Sequence, residues 1–510
     1  MNGADSKILP FEEAVQTLER TRKQGKRVVL CHGVFDLMHP GHILHFKAAR
    51  GFGDVLVVTV TPDEFARKAP GRPYFNQRLR METIASLEYV DYVVLNQWET
   101  SIETIRQLKP HVYVKGSDYR DPGQDVTGNI AHEQAAVEAV GGQLVYTDEE
   151  SFSSSALINQ FFRPYSPDAE RYLKQIRTRY SADEIWSYIK KLESLSVLVV
   201  GEAIFDQYTY CRPMAKPPKD SIVASRYIGE ECFAGGSAAI ARHLANFCKQ
   251  VTLITILGED EYGLPFFKEK LARDNIVLAP LLLSDRPTIR KQRFLEPKFL
   301  TKMFELQYLN DEAVSAPISE KLRALFNQHV SDHPILMVAD FGHGMIDAQL
   351  QQTFYDCKRF MALNTQTNSA NMGFNPVNKY RSAHYVSIDE PELRLAARTK
   401  SGDLMSIAKV IKQELRCPLF MVSRGAEGSS LVTDAGDIIE TPVFSNRVVD
   451  RTGAGDALFA ITSALAYQKA PPDIIGFVGN CVGMIAVETV GNREPIDPVL
   501  LHKYMNNLLK

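Results

Sequence analysis

Residues 27–45 read RVVLCHGVFDLMHPGHILH, and the fold of the first part of the chain follows from them. A β-rich run ends at Gly33, a turn follows, and Pro40-Gly41 opens a helix, proline being favoured at the first helical position where its missing N–H costs nothing. A helix start at the C-terminal edge of a sheet presents free N–H groups and the positive end of its dipole to an anion. Four of the twelve histidines, His32, His39, His42 and His45, fall in this stretch. His39 and His42, three apart across the first turn, can add donors to the same phosphates. No Cys or carboxylate nearby completes a metal ligand set around the HxxH spacing. The pattern describes a nucleoside triphosphate site built without a P-loop.

Outward from this stretch, strand-like and helical segments alternate. DVLVVTV, a helix around NQRLRMETIASL, DYVVL, HVYVKG and QLVYT follow in turn, the cadence of a parallel sheet covered on both faces. This predicts a Rossmann-like α/β domain over residues 1–162. Residues 163–194 carry two Pro, many charges and helical patterns without a strand, and read as a helical linker. From SVLVVGEAIFDQY the alternation resumes, giving a second, larger α/β domain over 195–510. The 510 residues thus divide into two unequal domains, within the range that about 150 residues per domain allows.

The composition, 45% hydrophobic and 23% charged, excludes intrinsic disorder as the main theme. A net charge of -3 is not that of a polycation for nucleic acid or anionic membrane, so small molecules are the expected partners. Seven dispersed cysteines, without a CxxC pair, argue against a disulfide framework. No apolar run approaches a membrane span, and the start MNGADSKILPFEE lacks a basic n-region. A cytoplasmic setting is expected.

Gly33-Val34-Phe35-Asp36-Leu37-Met38-His39-Pro40-Gly41-His42 is a complete GxFDxxHxGH signature. On it, residues 27–160 resemble the cytidylyltransferase-like nucleotidyltransferases, and most closely the adenylyltransferase domain of bifunctional heptose kinase/nucleotidyltransferases, whose KGxDY segment is similar to Lys115-Gly116-Ser117-Asp118-Tyr119. The resemblance implies attack of a sugar phosphate oxygen on the α-phosphorus of ATP, or of CTP, with pyrophosphate leaving. Such transfer needs alignment and charge neutralisation more than covalent help. His39 and His42 would steady the triphosphate, with Arg78 or Lys68 near the leaving group and Mg²⁺ bridging oxygens. Gly33, Phe35, Asp36 and Gly41 would line the nucleotide site, and Lys115 and Asp118 the sugar phosphate site. Asp36 reads equally as a turn-former, Lys68 as a solvated loop residue. Ser153, Ser154 and Ser155 can hold phosphate or simply cap a helix.

A second signature stands near the end, Asp450-Arg451-Thr452-Gly453-Ala454-Gly455-Asp456, ahead of a long apolar helix. Gly453 and Gly455 allow a tight turn whose N–H groups converge on one anion. An Asp just inside is suited to act as general base on a substrate hydroxyl attacking a γ-phosphoryl group. Over residues 195–505 the chain resembles the ribokinase-like carbohydrate kinases, whose DxxGAGD motif is matched in full. The resemblance makes Asp456 the base and Gly453, Ala454 and Gly455 the anion hole. It places Asp206, Gly235 and Gly236 on the sugar, Arg424, Gly425 and Asn480 on the nucleotide, and Glu392 on Mg²⁺. Residues 207–233 and 285–307 read as a small β lid, where Arg290, with Lys291 and Arg293, can grip a phosphate or form a solvated face.

Three positions depart from that pattern. Ala239 occupies an Asn slot, Asp389 replaces the Asn of NxxE, and His343 replaces the Lys of DYxKG. The kinase also follows the nucleotidyltransferase, the reverse of the order in the bifunctional heptose enzymes. The joint expectation is a bifunctional sugar (or sugar phosphate) kinase and nucleotidyltransferase, making an NDP-sugar such as ADP-heptose for surface polysaccharide. The alternatives are a single active half beside a binding or assembly module, and a non-heptose sugar or polyol phosphate with CTP. A homodimer through the kinase lid is the family-level expectation for assembly.

Overall fold

The computed structural model describes residues 5–66, 72–116, 129–147, 165–215, 222–445 and 447–510. The chain forms two compact units, Met1–Ser166 with His502–Lys510, and Pro167–Leu501.

The first unit is built on a six-stranded parallel sheet. Its order is Ile8–Leu9, Tyr92–Leu95, Val55–Val60, Val28–Gly33, Val112–Lys115, Gln143–Tyr146. All six residues of Val55–Val60 are buried, which is why VLVVTV reads as a continuous apolar run: a parallel strand covered by helices on both faces has no polar side. The chain winds from Val28–Gly33 to one side and then to the other. That strand therefore lies at the topological switch point, where α/β sheets bind ligands beyond their carboxyl ends. Proline and glycine act as the sequence predicts, and the helix Pro40–Arg50 starts there with Pro40 in its first turn.

The second unit carries a nine-stranded sheet in the order Ile276–Leu283, Gln250–Gly258, Ser196–Gly201, Ile335–Asp340, Phe360–Thr365, Tyr385–Asp389, Leu419–Ser423, Ser429–Val432, Ile438–Thr441. The first seven strands are parallel and the last two antiparallel. A separate four-stranded sheet forms the lid, with Thr301–Tyr308, Arg290–Glu296, Ala203–Pro213 and Ser225–Gly236 side by side. Its own core is small, chiefly Tyr208, Phe233 and Leu295. The helices Pro167–Arg179 and Ala182–Lys190, in the segment read from sequence as a linker, belong to this unit. The first is fastened by Arg179 to Asp473 at 2.6 Å and by the Tyr172 and Phe444 rings.

All seven cysteines are free. Among the described residues no helix is long and apolar enough to cross a membrane. The architecture is the expected one: a Rossmann-like α/β unit followed by a ribokinase-like α/β unit with a small β lid.

Candidate active sites

In the first unit, His39 is the residue that precedes the helix, in extended conformation. Its ring stacks on that of His42, centroids 3.8 Å apart and planes 25° from parallel. Burial lowers the His39 pKa, which favours its neutral ring. Phe35, at φ +51, sets its ring edge-on to His42 at 5.3 Å and against Phe46. A Cβ on Gly33 would stand 2.8 Å from that ring, so the glycine is required by close packing of the turn. The other two histidines of the cluster serve neighbouring hydroxyls: His32 meets Thr59 at 2.9 Å and Thr61 at 3.3 Å, and His45 meets Thr147 at 2.9 Å.

Several residues assigned from sequence stand elsewhere. Asp36 accepts from the Tyr74 and Phe75 N–H groups at 2.7 and 3.1 Å and pairs with Arg72 at 3.4 Å. It ties down the 72–75 segment, the structural reading of the two. Arg78 points into solvent and pairs with Glu82 on its own helix at 2.7 Å. The arginine that reaches the sheet edge is Arg80, overlooked in the sequence. Its buried guanidinium donates to the carbonyls of Val34 (2.5 Å), Thr61 (2.9 Å) and Phe75 (2.9 Å) and to Asp63 (2.6 Å). Lys115 is buried and paired with Glu133 at 2.9 Å, within a network that includes Ser101 and Tyr113. Lys68, Asp118 and Ser154 lie outside the described residues.

In the second unit, Asp456 is buried in the first turn of the helix Ala454–Tyr467. Burial and the nearby Asp206 charge push its pKa up to about 7, with Lys291 opposing them. Gly453 takes φ +84, and a Cβ there would stand 1.9 Å from Asn492 Oδ1. At Gly455 a Cβ would meet open space, room in which a phosphoryl group can approach the helix N-terminus. Asp450 anchors this turn. It accepts from Tyr208 Oη (2.6 Å), the Gly491 N–H (2.9 Å), the Thr452 N–H (3.1 Å) and Lys302 Nζ (2.8 Å). Lys302, a lid residue the sequence did not single out, also donates to Thr452 Oγ1 at 2.6 Å.

The lid brings further charge to Asp456. Asp206 accepts from Arg293 at 2.6 Å, and Arg293 pairs with Glu305 at 2.7 Å. Lys291 stands beside Asp206 in the strand register and is buried. Asp206 also explains the double glycine: a Cβ on Gly235 would lie 2.0 Å from its Oδ2, while Gly236 takes φ +60 at the helix start. Arg290 is placed differently from the phosphate-gripping alternative. Its guanidinium is sandwiched between Tyr262 and Tyr308, 4.3 and 3.7 Å from the ring centroids.

Along the sheet's carboxyl edge, Glu392 accepts the Thr367 N–H (3.0 Å) and the Asp389 N–H (2.8 Å), and Asp389 caps the same helix in return. Burial and Asp389 raise the Glu392 pKa. Asn480 is held internally, its amide donating to Ser429 Oγ at 2.6 Å and to the Gly476 carbonyl at 2.9 Å. Arg424 pairs with Glu427, and Gly425 takes φ +57 in the turn that follows. Glu202, just past the end of strand Ser196–Gly201, accepts the Phe341 and His343 N–H groups at 3.0 and 3.1 Å. Burial and Asp340 push its pKa up to about 7.

The family model for cytidylyltransferase-like proteins matches residues 30–161, and that for pfkB family carbohydrate kinases matches residues 194–498. "Bifunctional protein HldE" of Aliarcobacter butzleri (strain RM4018) is 41% identical over 145 residues, 28% of this chain and 30% of that protein. The protein of the same name from Rhodopseudomonas palustris (strain BisA53) is 26% identical over 307 residues, 59% of this chain and 61% of that one. The chain thus spans between 30% and 61% of the length of these curated relatives. The crystal structure of Escherichia coli phosphofructokinase-2 with substrates and products superposes with a TM-score of 0.51 at 15% identity, over 62% of this chain and all of that one, which shows the kinase fold. With a family model covering more than half its length, the chain belongs to the pfkB family of carbohydrate kinases and carries a cytidylyltransferase-like domain ahead of the kinase domain.

Proposed function

We propose that the chain is a bifunctional enzyme that phosphorylates a sugar or sugar phosphate from ATP and converts a sugar phosphate to a nucleotide-activated sugar, of the ADP-heptose kind, for surface polysaccharide. The observation that carries this reading is the placement of Asp456. It is a buried carboxylate whose pKa lies at about 7, inside a glycine-bounded helix start and beside Asp206 and Lys291. A base poised near the working pH takes a hydroxyl proton efficiently. That hydroxyl oxygen attacks the γ-phosphorus, the bond from phosphorus to the bridging oxygen breaks, and ADP leaves. The Gly453-Ala454-Gly455 turn supplies backbone N–H groups to the transferring group.

A bound Mg²⁺ would supply charge neutralisation to the phosphates in such reactions. Among the described residues no group of three His, Cys, Asp or Glu side chains converges as a cage. A hydrated Mg²⁺ needs only one or two carboxylates, and Glu392, whose oxygens each take a single backbone N–H, suits that part.

In the first unit, the stacked His39 and His42 and the N-terminus of the helix Pro40–Arg50 would hold the triphosphate. A sugar phosphate oxygen attacks the α-phosphorus and pyrophosphate departs. The curated relatives' name, "Bifunctional protein HldE", supports two activities in one chain. The test is ADP and pyrophosphate release from ATP and CTP with a panel of sugars and sugar phosphates. Asp456→Asn is expected to abolish ADP formation alone, and His42→Ala pyrophosphate release alone. A variant that leaves its own reaction intact overturns that site.

A further inference from the structure

One buried group of the kinase unit has no part in the steps above. His343 lies in the loop after strand Ile335–Asp340, between Gly342 and Gly344 at φ +72 and +80. It is 1% exposed, and neither ring nitrogen has a hydrogen-bond partner. A neutral imidazole offers one donor and one acceptor, and leaving both unmet in a dry interior is costly enough to require a reason.

The loop backbone does not let the ring drift. The His343 N–H donates to Glu202 Oε1 at 3.1 Å, and its carbonyl accepts from Arg286 at 3.4 Å. On one side a Cβ at Gly342 would meet Asn371 at 2.4 Å; on the other, one at Gly344 would meet the Glu312 carbonyl at 2.1 Å. The backbone around the ring is thus fixed while the ring's own polar atoms go unused.

Its surroundings indicate what they are for. The charges acting on the ring are Lys291 and Arg286. Lys291 is the residue beside Asp206 in the lid register, and it interacts with Asp456 as well. The backbone ties it to the same place: Glu202, which takes the His343 N–H, accepts the Ser237 N–H through its own carbonyl at 3.0 Å, at the helix start where Gly235 packs against Asp206. With burial and two cations against protonation, its pKa is pushed down to about 3, so the ring is neutral. A neutral donor and acceptor suits an uncharged hydroxyl, whereas a Lys at this position would favour an anion.

We propose that His343 is a specificity-determining residue of the kinase, hydrogen-bonding a hydroxyl of the acceptor sugar through a ring nitrogen. This rests on the kinase reading given above. The full chain is assayed for ADP formation with a panel of acceptors: a heptose monophosphate, mannose 6-phosphate and fructose 6-phosphate. For the best of them, His343→Leu is expected to raise the acceptor KM roughly ten-fold, leave the ATP KM unchanged, and hold or raise the thermal midpoint, since an unsatisfied polar group is removed. His343→Gln, which keeps a donor and an acceptor, should recover most of the loss. An acceptor KM unmoved by His343→Leu overturns the proposal, as does a loss that Gln does not relieve. Should the Leu variant fail to fold, the His343 ring resonances of the folded Asp456→Asn chain decide: acceptor must shift them, and ATP alone must not. Absence of acceptor-dependent ADP formation in the unaltered enzyme overturns the kinase reading and this proposal together; activity with an unmoved acceptor KM overturns only the proposal.

Discussion

Replacing Asp456 with Asn should make the protein more stable as well as inactive, and the gain should depend on pH in a defined way. The carboxyl titrates at about 7 in the fold against an ordinary 3.8. That difference of about three units corresponds to about 4 kcal/mol at most, at 1.36 kcal/mol per unit. Between pH 3.8 and 7 the folded carboxyl keeps a proton that the unfolded chain has lost. Stability therefore falls as pH rises through this window and levels off above it. Asn carries no such penalty. The stability of Asp456→Asn relative to the parent, from urea denaturation of the kinase unit's signal, should be near zero at about pH 4, grow steadily, and reach a plateau of up to about 4 kcal/mol above about pH 7. In parallel, ADP formation by the parent should rise with pH through about 7 as the base deprotonates, while the variant stays at least about 100-fold lower throughout. A stability difference that is flat from pH 4 to pH 8, or that shrinks with pH, would refute the burial of an ionisable base at this position.

Two further outcomes follow from the geometry. Arg80→Ala strands four acceptors, three of them backbone carbonyls and two of those just past strand ends, and is expected to lower stability by about 3 kcal/mol or more; Arg78→Ala, at a fully exposed side chain, should leave both the denaturation midpoint and pyrophosphate release unchanged. Gly453→Ala forces a Cβ against Asn492 at a left-handed φ and should cost at least about 1 kcal/mol, eliminating ADP formation while pyrophosphate release continues.

What could be read in the sequence was what is local. The GxFDxxHxGH run places a strand end, a turn and a helix start within ten consecutive residues, so its geometry follows from the proline and glycines alone. The same holds for the Gly453–Asp456 turn. What could not be read depends on partners far along the chain. Asp36 is claimed by residues 36 to 39 positions away, Arg290 by two tyrosines on separate elements, and Asp450 by Lys302, 148 positions distant. Arg78 and Arg80 show the limit most clearly. At about 100° per residue, positions two apart on a helix face nearly opposite ways. The helix Gln77–Ala85 lacks a strong apolar stripe to say which way is in: of its nine residues only Arg80, Met81, Ile84 and Ala85 are buried. A buried arginine offers no hydrophobic signal of its own, so periodicity cannot identify it. The only sequence signal available was the spacing to Met81 and Ile84, which puts Arg80 on the inward side.

On the proposed kinase reading, the charge arrangement around Asp456 would let a carboxylate tolerated at such a cost serve as the base. With Asp456 protonated, the cluster beneath the lid is balanced: Asp206 and Glu305 against Lys291 and Arg293, with Arg293 bridging both acids. Ionising Asp456 puts a charge into a buried site and next to that of Asp206, and burial first, then Asp206, raises its pKa. Lys291, whose own pKa burial lowers, offsets the excess enough for the ionised form to be reached near neutral pH. In the proposed reaction, a hydroxyl that gives up its proton to Asp456 would return the cluster to balance, and the negative charge would pass to the attacking oxygen, which forms the new bond to phosphorus. The group that weakens the fold when ionised thus gains most from taking the proton that the reaction must remove.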